Sequence, residues 1–148
     1  MMLDIDDFKK INDTYGHDIG DKVLQGVTGA IMKVIRATDC LFRWGGEEFV
    51  LLCKADRAAH GLIGEKLLRC INALSIAADG KVLKVSLSIG SSYFATDDNG
   101  YLQAIKRADV ALYHSKHNGK NRYTNWEDTF DTNAEKAEPS QDKRPLKS

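Results

Sequence analysis

Cysteine is scarce in this chain of 148 residues, and its number is odd: Cys40, Cys53 and Cys70. No CxxC pair occurs. That excludes a disulfide framework and a cysteine-built zinc cluster, and it predicts buried, reduced thiols in a cytoplasmic protein. Proline is scarcer still, with two residues, Pro139 and Pro145, both close to the carboxyl terminus. No apolar run approaches the roughly 18 residues of a membrane span. The amino terminus lacks a basic stretch followed by an apolar one, so no secretory signal is expected. Net charge is absent as well, because Lys+Arg and Asp+Glu are both 21. A protein that coats nucleic acid needs a basic face, so no nucleic-acid partner is expected. A small anionic ligand needs only a few local cations and stays open.

What is present reads as one folded unit with a tail. Hydrophobic residues make up 43% and charged residues 28%, an ordinary globular balance. A chain near this length buries about 68–70% of its unfolded surface, enough for a real core. Met1–Asp4 reads as the end of a buried strand, and Asp6–Tyr15 as a short helix stopping at Gly16. Val23, Leu24, Val27, Ile31, Val34 and Ile35 recur at helical spacing and predict an amphipathic helix over Ile19–Arg36. Cys40–Arg43 and Phe49–Cys53 flank "WGGEE" as a β-hairpin, with Gly45 and Gly46 supplying the turn. Arg57–Leu74 is helical again. Val82–Phe94 reads as one long strand, Tyr101–His117 as a helix and Asn121–Thr124 as an edge strand. Both prolines, mixed charge and no periodicity mark Asn125–Ser148 as a disordered tail. The domain is thus expected over residues 1–124. Its fold class is α/β of the mixed α+β kind, a central mixed sheet flanked by helices.

Two stretches carry groups able to do chemistry. "RWGGEEF", Arg43–Phe49, puts two adjacent carboxylates, Glu47 and Glu48, at a hairpin tip. A hairpin needs turn residues there but no acids. "LDIDDFKKINDTYGHDIGD", Leu3–Asp21, puts Asp4 where a strand gives way to a helix, and carboxylates at strand ends often face a ligand. Taken singly, Asp4 reads equally as a turn or capping aspartate, and Asn12 and Asp21 as solvated polar residues. Together, Asp4 and Glu47 suit Mg²⁺, which takes one or two protein carboxylates and completes its octahedron with substrate phosphates. Two such ions can clamp an in-line phosphoryl displacement.

With "DIDDFKKINDTYGHDIGD", "RATD", "RWGGEEF", "VSLSIG" and "RADVALYHSKHNGKNR" in this order, the chain resembles the GGDEF domain, the diguanylate cyclase family, from Met1 to about Thr124. The resemblance implies a fold similar to the palm of nucleotide cyclases and polymerases. It implies a signalling enzyme that condenses two GTP into cyclic di-GMP with release of two pyrophosphates, working as a homodimer with one GTP per domain. By it, Asp4, the Ile5 carbonyl and Glu47 would hold Mg²⁺, with Mn²⁺ an alternative. Glu48 would serve either the metal or the attacking 3′-hydroxyl. Asn12 and Asp21 would read guanine. Phe8 and Lys9 would present backbone amides to the β- and γ-phosphates, Gly45 and Gly46 would leave room for them, and Lys116 and Lys120 would add charge. Arg36 and Asp39 of "RATD" match the family's inhibitory site, where cyclic di-GMP binds. The HxxH of His114 and His117 needs no metal by this likeness and reads as exposed histidines, while His17 structures its loop.

The chain departs from the family pattern at its start. A complete domain carries an upstream "DxLTGLxNR" segment, a helix and the first part of the central strand, so one sheet face here is expected to lack a covering helix. That leaves two alternatives to an active cyclase: a module that binds cyclic di-GMP or GTP without turnover, or an inactive fragment.

Overall fold

The computed structural model of the protein describes residues 1–129. Seven strands and four helices follow in the order β1 (Met2–Ile5), α1 (Phe8–Tyr15), α2 (His17–Val34), β2 (Cys40–Arg43), β3 (Glu48–Leu52), α3 (Arg57–Ala73), β4 (Ile76–Ala78), β5 (Lys81–Leu83), β6 (Leu87–Ser91), α4 (Tyr101–His117) and β7 (Tyr123–Asn125). Five strands form one sheet in the order β2-β3-β1-β6-β7. The first four are antiparallel to their neighbours, and β7 lies parallel to β6. The mixed sheet flanked by helices is therefore as expected, with β1 at its centre.

Strand alternation assigns the two faces. Leu3 and Ile5 of β1, Phe49 and Leu51 of β3, and Leu87 and Ile89 of β6 join Val23, Val27 and Ile31 of α2 and Leu67 and Ile71 of α3 in the main core. Each such side chain, fully buried, contributes about 1.5–3 kcal/mol. The residues between them point the other way, and Met2 and Val50 pack against Ala108 and Leu112 of α4. Gly90 lets α4 come that close: a Cβ there would stand 2.1 Å from the Leu112 nitrogen and 2.2 Å from the Ala108 oxygen. On this face a groove of about 510 Å³ opens beside α4 over β3, bordered by Val50, Leu52, Phe94, Ala104 and Ala108. Phe42 of β2 and Leu52 of β3 remain exposed, but α4 packs on this face and α2 and α3 on the other, so the expected face without a covering helix is not found.

Local chemistry sets the element ends. Gly16, at φ +83°, breaks the chain between α1 and α2. Asp56 caps α3 by accepting the Ala59 N–H at 2.8 Å, and Asn118 ends α4 with its N–H on the His114 carbonyl. Three further expectations are corrected. The long strand expected over Val82–Phe94 is two elements: β5 ends at Leu83 and β6 runs over Leu87–Ser91. Before β5 stands β4, its partner in a small separate hairpin. Asp79 at φ +49° and Gly80 at φ +75° make its turn, the left-handed pair that a two-residue hairpin loop requires. In the β2–β3 hairpin the loop spans Trp44–Glu47, and the positive-φ glycines are Gly16, Gly80 and Gly119, so neither Gly45 nor Gly46 turns the chain by left-handed geometry. Of the expected tail, Asn125 closes β7 and Trp126–Thr129 form a 3₁₀ turn. The rest, from Phe130 to Ser148, lies outside the described residues.

Candidate functional site

The site gathers at the carboxyl end of β1. Asp4 lies directly across the β1–β3 ladder from Glu48, and the Ile5 N–H donates to the Glu47 carbonyl at 3.2 Å. Asp4 is buried while Glu47 and Glu48 are half-buried. Like charges directly opposite each other destabilise a sheet, so this arrangement needs a compensating cation. Lys116, in the last turn of α4, stands there with its Nζ 2.6 Å from Asp4 Oδ2. Burial pushes the Asp4 carboxyl up to about 6; Lys116 pulls it down, and the charges of Glu47 and Glu48 push it up again. Among the described residues no three His, Cys, Asp or Glu side chains already converge as a metal site. The donor chemistry nevertheless suits a hard dication: carboxylates of Asp4, Glu47 and Glu48 beside the Ile5 carbonyl, with the buried carboxylate held in a state that added positive charge would relieve.

The hairpin tip is fixed by its own backbone. Trp44 and Gly45 donate their N–H groups to the Glu48 carbonyl at 2.8 and 3.3 Å. The Arg43 guanidinium folds back onto the Gly46 carbonyl, with its terminal nitrogen at 2.7 Å. A Cβ on Gly45 would come within 3.1 Å of Glu48 Oε2, whereas one on Gly46 would meet nothing. Glycine at 45 thus keeps space beside the carboxylate.

The helix α1 leaves the site with its first-turn amides in front. Asp7, at φ +55°, precedes it. Its intrahelical bonding begins with the Ile11 N–H on the Asp7 carbonyl at 3.1 Å, so the amides of Phe8 and Lys9 belong to the turn that has no intrahelical acceptors. The Phe8 ring is buried and the Lys9 side chain is exposed. Lys120 donates to Asp7 Oδ1 at 2.8 Å, a bond that holds the Asp7 carboxyl below its ordinary range. The four expected phosphate contacts, Phe8, Lys9, Lys116 and Lys120, therefore converge on one end of β1. Both lysines rest on carboxylates.

Asn12, half-buried on α1, faces α2, where a Cβ on Gly20 would stand 1.9 Å from its Oδ1. That Oδ1 is buried against Gly20 and has no hydrogen-bond partner, so glycine at 20 is what lets the Asn12 amide lie flat on α2. Asp21 follows Gly20 and is exposed. Arg36 and Asp39 lie apart from this cluster, in the turn between α2 and β2. There the Asp39 carboxylate accepts the Arg36 N–H at 2.8 Å. The Arg36 side chain borders a groove of about 290 Å³ that also takes in Lys66 and Arg69 of α3. Those two cations went unread in the sequence, although their three-residue spacing places them on one helix face.

Asp6 was also unread. Its buried carboxylate accepts from Ser86 Oγ, Ser88 Oγ and the Asn121 N–H. Of the histidines, His117 is exposed as expected and stacks on Tyr113 at 3.7 Å, whereas His114 is half-buried with its ring edge-on to Tyr113. Exposed His17 is the first residue of α2.

Comparison with known proteins agrees with this geometry. Residues 1–122 match the family described as "Diguanylate cyclase, GGDEF domain". Diguanylate cyclase A of Treponema denticola is 42% identical over 125 residues, 84% of this chain and 34% of that protein. Diguanylate cyclase DosC of Escherichia coli K12 is 37% identical over 128 residues, 85% of this chain and 28% of its own. The chain thus spans about a third of the length of these curated relatives. The solved GGDEF domain of DgcB from Caulobacter crescentus, in complex with c-di-GMP, superimposes with a TM-score of 0.80 at 30% identity, covering 85% of this chain and 75% of that one. The active GGEEF domain of a diguanylate cyclase from Vibrio cholerae gives 0.74 at 30% identity, covering 84% and 80%. By sequence and by fold, the chain belongs to the GGDEF family of diguanylate cyclase domains.

Proposed function

We propose that this domain condenses two GTP into cyclic di-GMP with release of two pyrophosphates, as a homodimer of domains that each hold one GTP. The observation that carries the reading is the buried Asp4 carboxylate facing Glu48 across the ladder, with Lys116 2.6 Å away. Family membership implies a divalent metal. Asp4, the Ile5 carbonyl and Glu47 would hold it as Mg²⁺, or Mn²⁺ in its place. Bound there, the ion would neutralise phosphate oxygens and favour the 3′-hydroxyl as a nucleophile. Glu48 would support the same ion or orient that hydroxyl towards the α-phosphate of the facing nucleotide. The amides of Phe8 and Lys9, with the ammonium groups of Lys116 and Lys120, would balance the β- and γ-phosphates, and Gly45 and Gly46 would leave them room. Asn12 and Asp21 would read guanine, an amide and a carboxylate being able to pair with its ring edge and N–H donors. The GTP it consumes is a cytoplasmic nucleotide, which puts the domain in the cytoplasm.

The test is direct. Purified protein given GTP and Mg²⁺ is expected to form cyclic di-GMP, and Glu48→Ala to slow this by about 10³-fold or more, the scale of losing a group that acts on the reacting hydroxyl or its metal. Unchanged turnover in Glu48→Ala would remove the reading.

A second reading, binding of cyclic di-GMP without turnover, draws on the basic groove of Arg36, Lys66 and Arg69. A product carrying two phosphates fits three cations there, with Asp39 beside Arg36. Calorimetry is expected to show Arg36→Ala weakening cyclic di-GMP binding by about tenfold or more, as for a lost charge-assisted contact. Equal affinity would reject that site.

A further inference from the structure

Asp6 has no role in the chemistry above, yet its carboxylate is buried and accepts three hydrogen bonds. Oδ1 takes the Ser88 hydroxyl at 2.6 Å; Oδ2 takes the Ser86 hydroxyl at 2.6 Å and the Asn121 N–H at 3.0 Å. Its own N–H donates to the Ser86 carbonyl at 3.0 Å. The Ser86 hydroxyl comes from the chain entering β6 and the Ser88 hydroxyl from β6 itself. The third donor is main chain, from the turn between α4 and β7.

That turn is conformationally costly. Gly119 sits at φ +104°, and the next two residues, Lys120 and Asn121, sit at φ +59° and +46°. Side chains other than glycine rarely adopt this region, and lysine is not among those that tolerate it best. Such a backbone persists where surrounding bonds over-determine it. Here the Lys120 N–H reaches the Ser115 carbonyl at 3.0 Å and the Asn121 N–H reaches Asp6. Between these two anchors the Lys120 side chain is directed to Asp7, at the amino-terminal end of α1.

We propose that Asp6 is a positioning residue for Lys120: its carboxylate pins the α4–β7 turn so that the ammonium faces the end of α1 where the terminal phosphates of the nucleotide bind. The proposal rests on the GTP reading given above. It also explains the choice of side chain. An asparagine could keep the clamp, because its oxygen can take the Asn121 N–H while its NH₂ donates to Ser88, whose hydroxyl reverses. An alanine cannot.

The test uses the full chain with Mg²⁺ and a non-hydrolysable GTP analogue, alongside amide hydrogen exchange. Asp6→Ala is expected to speed exchange at the Asn121 amide by about 100-fold or more and to leave the Leu51 amide, in the core ladder, protected. Analogue binding should weaken by about tenfold in Asp6→Ala and in Lys120→Ala. The double variant should be no weaker than the poorer single, since both changes remove one interaction. Asp6→Asn should bind within about threefold of the parent. In turnover, KM for GTP should rise more than kcat falls.

Additive losses in the double variant, or a kcat loss at constant KM, would overturn the proposal. So would an Asn121 amide that stays protected in Asp6→Ala. If the parent protein binds no analogue, the GTP reading fails, while the exchange measurement still decides whether Asp6 holds the turn. Should Asp6→Ala lose the protected Leu51 amide, Asp6→Ser takes its place; its hydroxyl serves β6 but is too short to reach Asn121 as well.

Discussion

The two ends of β1 answer burial in opposite ways. At the amino end, the Met1 amino group donates to the Leu51 carbonyl at 2.8 Å, and burial lowers its pKa to about 6. Nearby, burial raises the Cys53 thiol and pushes His60 down to about 4. These groups are driven towards neutrality, as expected next to an apolar groove. At the carboxyl end, burial lifts Asp4 to about 6, but the charges there are kept and paired: Asp4 with Lys116, Asp7 with Lys120. The same desolvation acts on both ends. What differs is the supply of partners, and where that supply falls short, as at Asp4 with Glu47 and Glu48 beside it, the chain holds electrostatic free energy that a cation can release. Burial without charge makes one end structural; burial with under-compensated charge makes the other a site.

The largest effect should come from taking the charge away. Asp4→Asn is expected to lower cyclic di-GMP formation by about 10³-fold or more, as for a lost metal ligand, without lowering the melting temperature of the chelator-treated protein at neutral pH. The sign follows from linkage. Between about pH 4 and 6 the native Asp4 holds a proton that the unfolded chain has released, so stability falls as pH rises through that window. Asparagine removes the penalty, and Lys116, partly exposed, can turn to water. A clearly lower melting temperature with the pH slope intact would mean that Asp4 is a stabilising ion pair instead, and the contrast between the two ends would collapse.

How much of this was legible in the sequence depended on how local the cause was. Tyr101–His117 was read to the residue, because an amphipathic period and a Gly-to-Asn frame mark both ends of α4. Asp4, Glu47 and Glu48 were legible because acids at a strand end and at a hairpin tip have no local purpose. β4 and β5 were passed over, since three residues each leave almost no periodicity, although Asp79-Gly80 is a hairpin signal that could have divided the supposed long strand. Asp6 was illegible for a different reason. Its donors lie 80, 82 and 115 positions away, so nothing near it in sequence says that three partners will arrive. The basic groove is similar: Arg36 was visible in "RATD", but Lys66 and Arg69 reach it only through the packing of α3 beside α2.

The apolar end can be broken by volume alone. Gly90 pairs with Met2 in the β1–β6 ladder, and a methyl group there would overlap the backbone of α4 at Ala108 and Leu112. Backbone cannot rotate aside, so Gly90→Ala should cost about 3 kcal/mol or more in urea denaturation. Gly29 supplies the control. It is exposed on α2 with nothing within 4 Å of an added Cβ, so Gly29→Ala should stabilise by about 0.5–1 kcal/mol through helix propensity. Equal effects at the two glycines would show that α4 does not depend on close approach. The site would lose with the packing, because α4 also carries Lys116.

The smallest effect tests the contrast most closely, because it sets the two ends against each other in one titration. His60 is 5% exposed, lies tilted against the Tyr93 ring with centroids 4.8 Å apart, and has an Nδ1 without a partner. With its native pKa near 4 and an ordinary value of 6.5, the unfolded chain takes up a proton first on acidification. Stability therefore falls as pH drops, by on the order of 2 kcal/mol between about pH 7 and 5. Asp4 works the other way over the same range, because its native form takes up the proton first, adding on the order of 1 kcal/mol. The Met1 amino group, with a native value of about 6 against 8.0, is also protonated first in the unfolded chain and removes on the order of 1 kcal/mol over the same range, offsetting Asp4. The parent protein, kept metal-free, should therefore lose stability between pH 7 and 5. His60→Phe keeps the ring against Tyr93 and removes its titration, so its profile should be flatter than the parent's. Asp4→Asn should fall more steeply than the parent over the same range. Denaturant melts at a few pH values read this directly. Two variants that changed in the same direction would mean that the ends of β1 do not titrate independently, and that the division between a neutral end and a charged one is not the one that governs the strand.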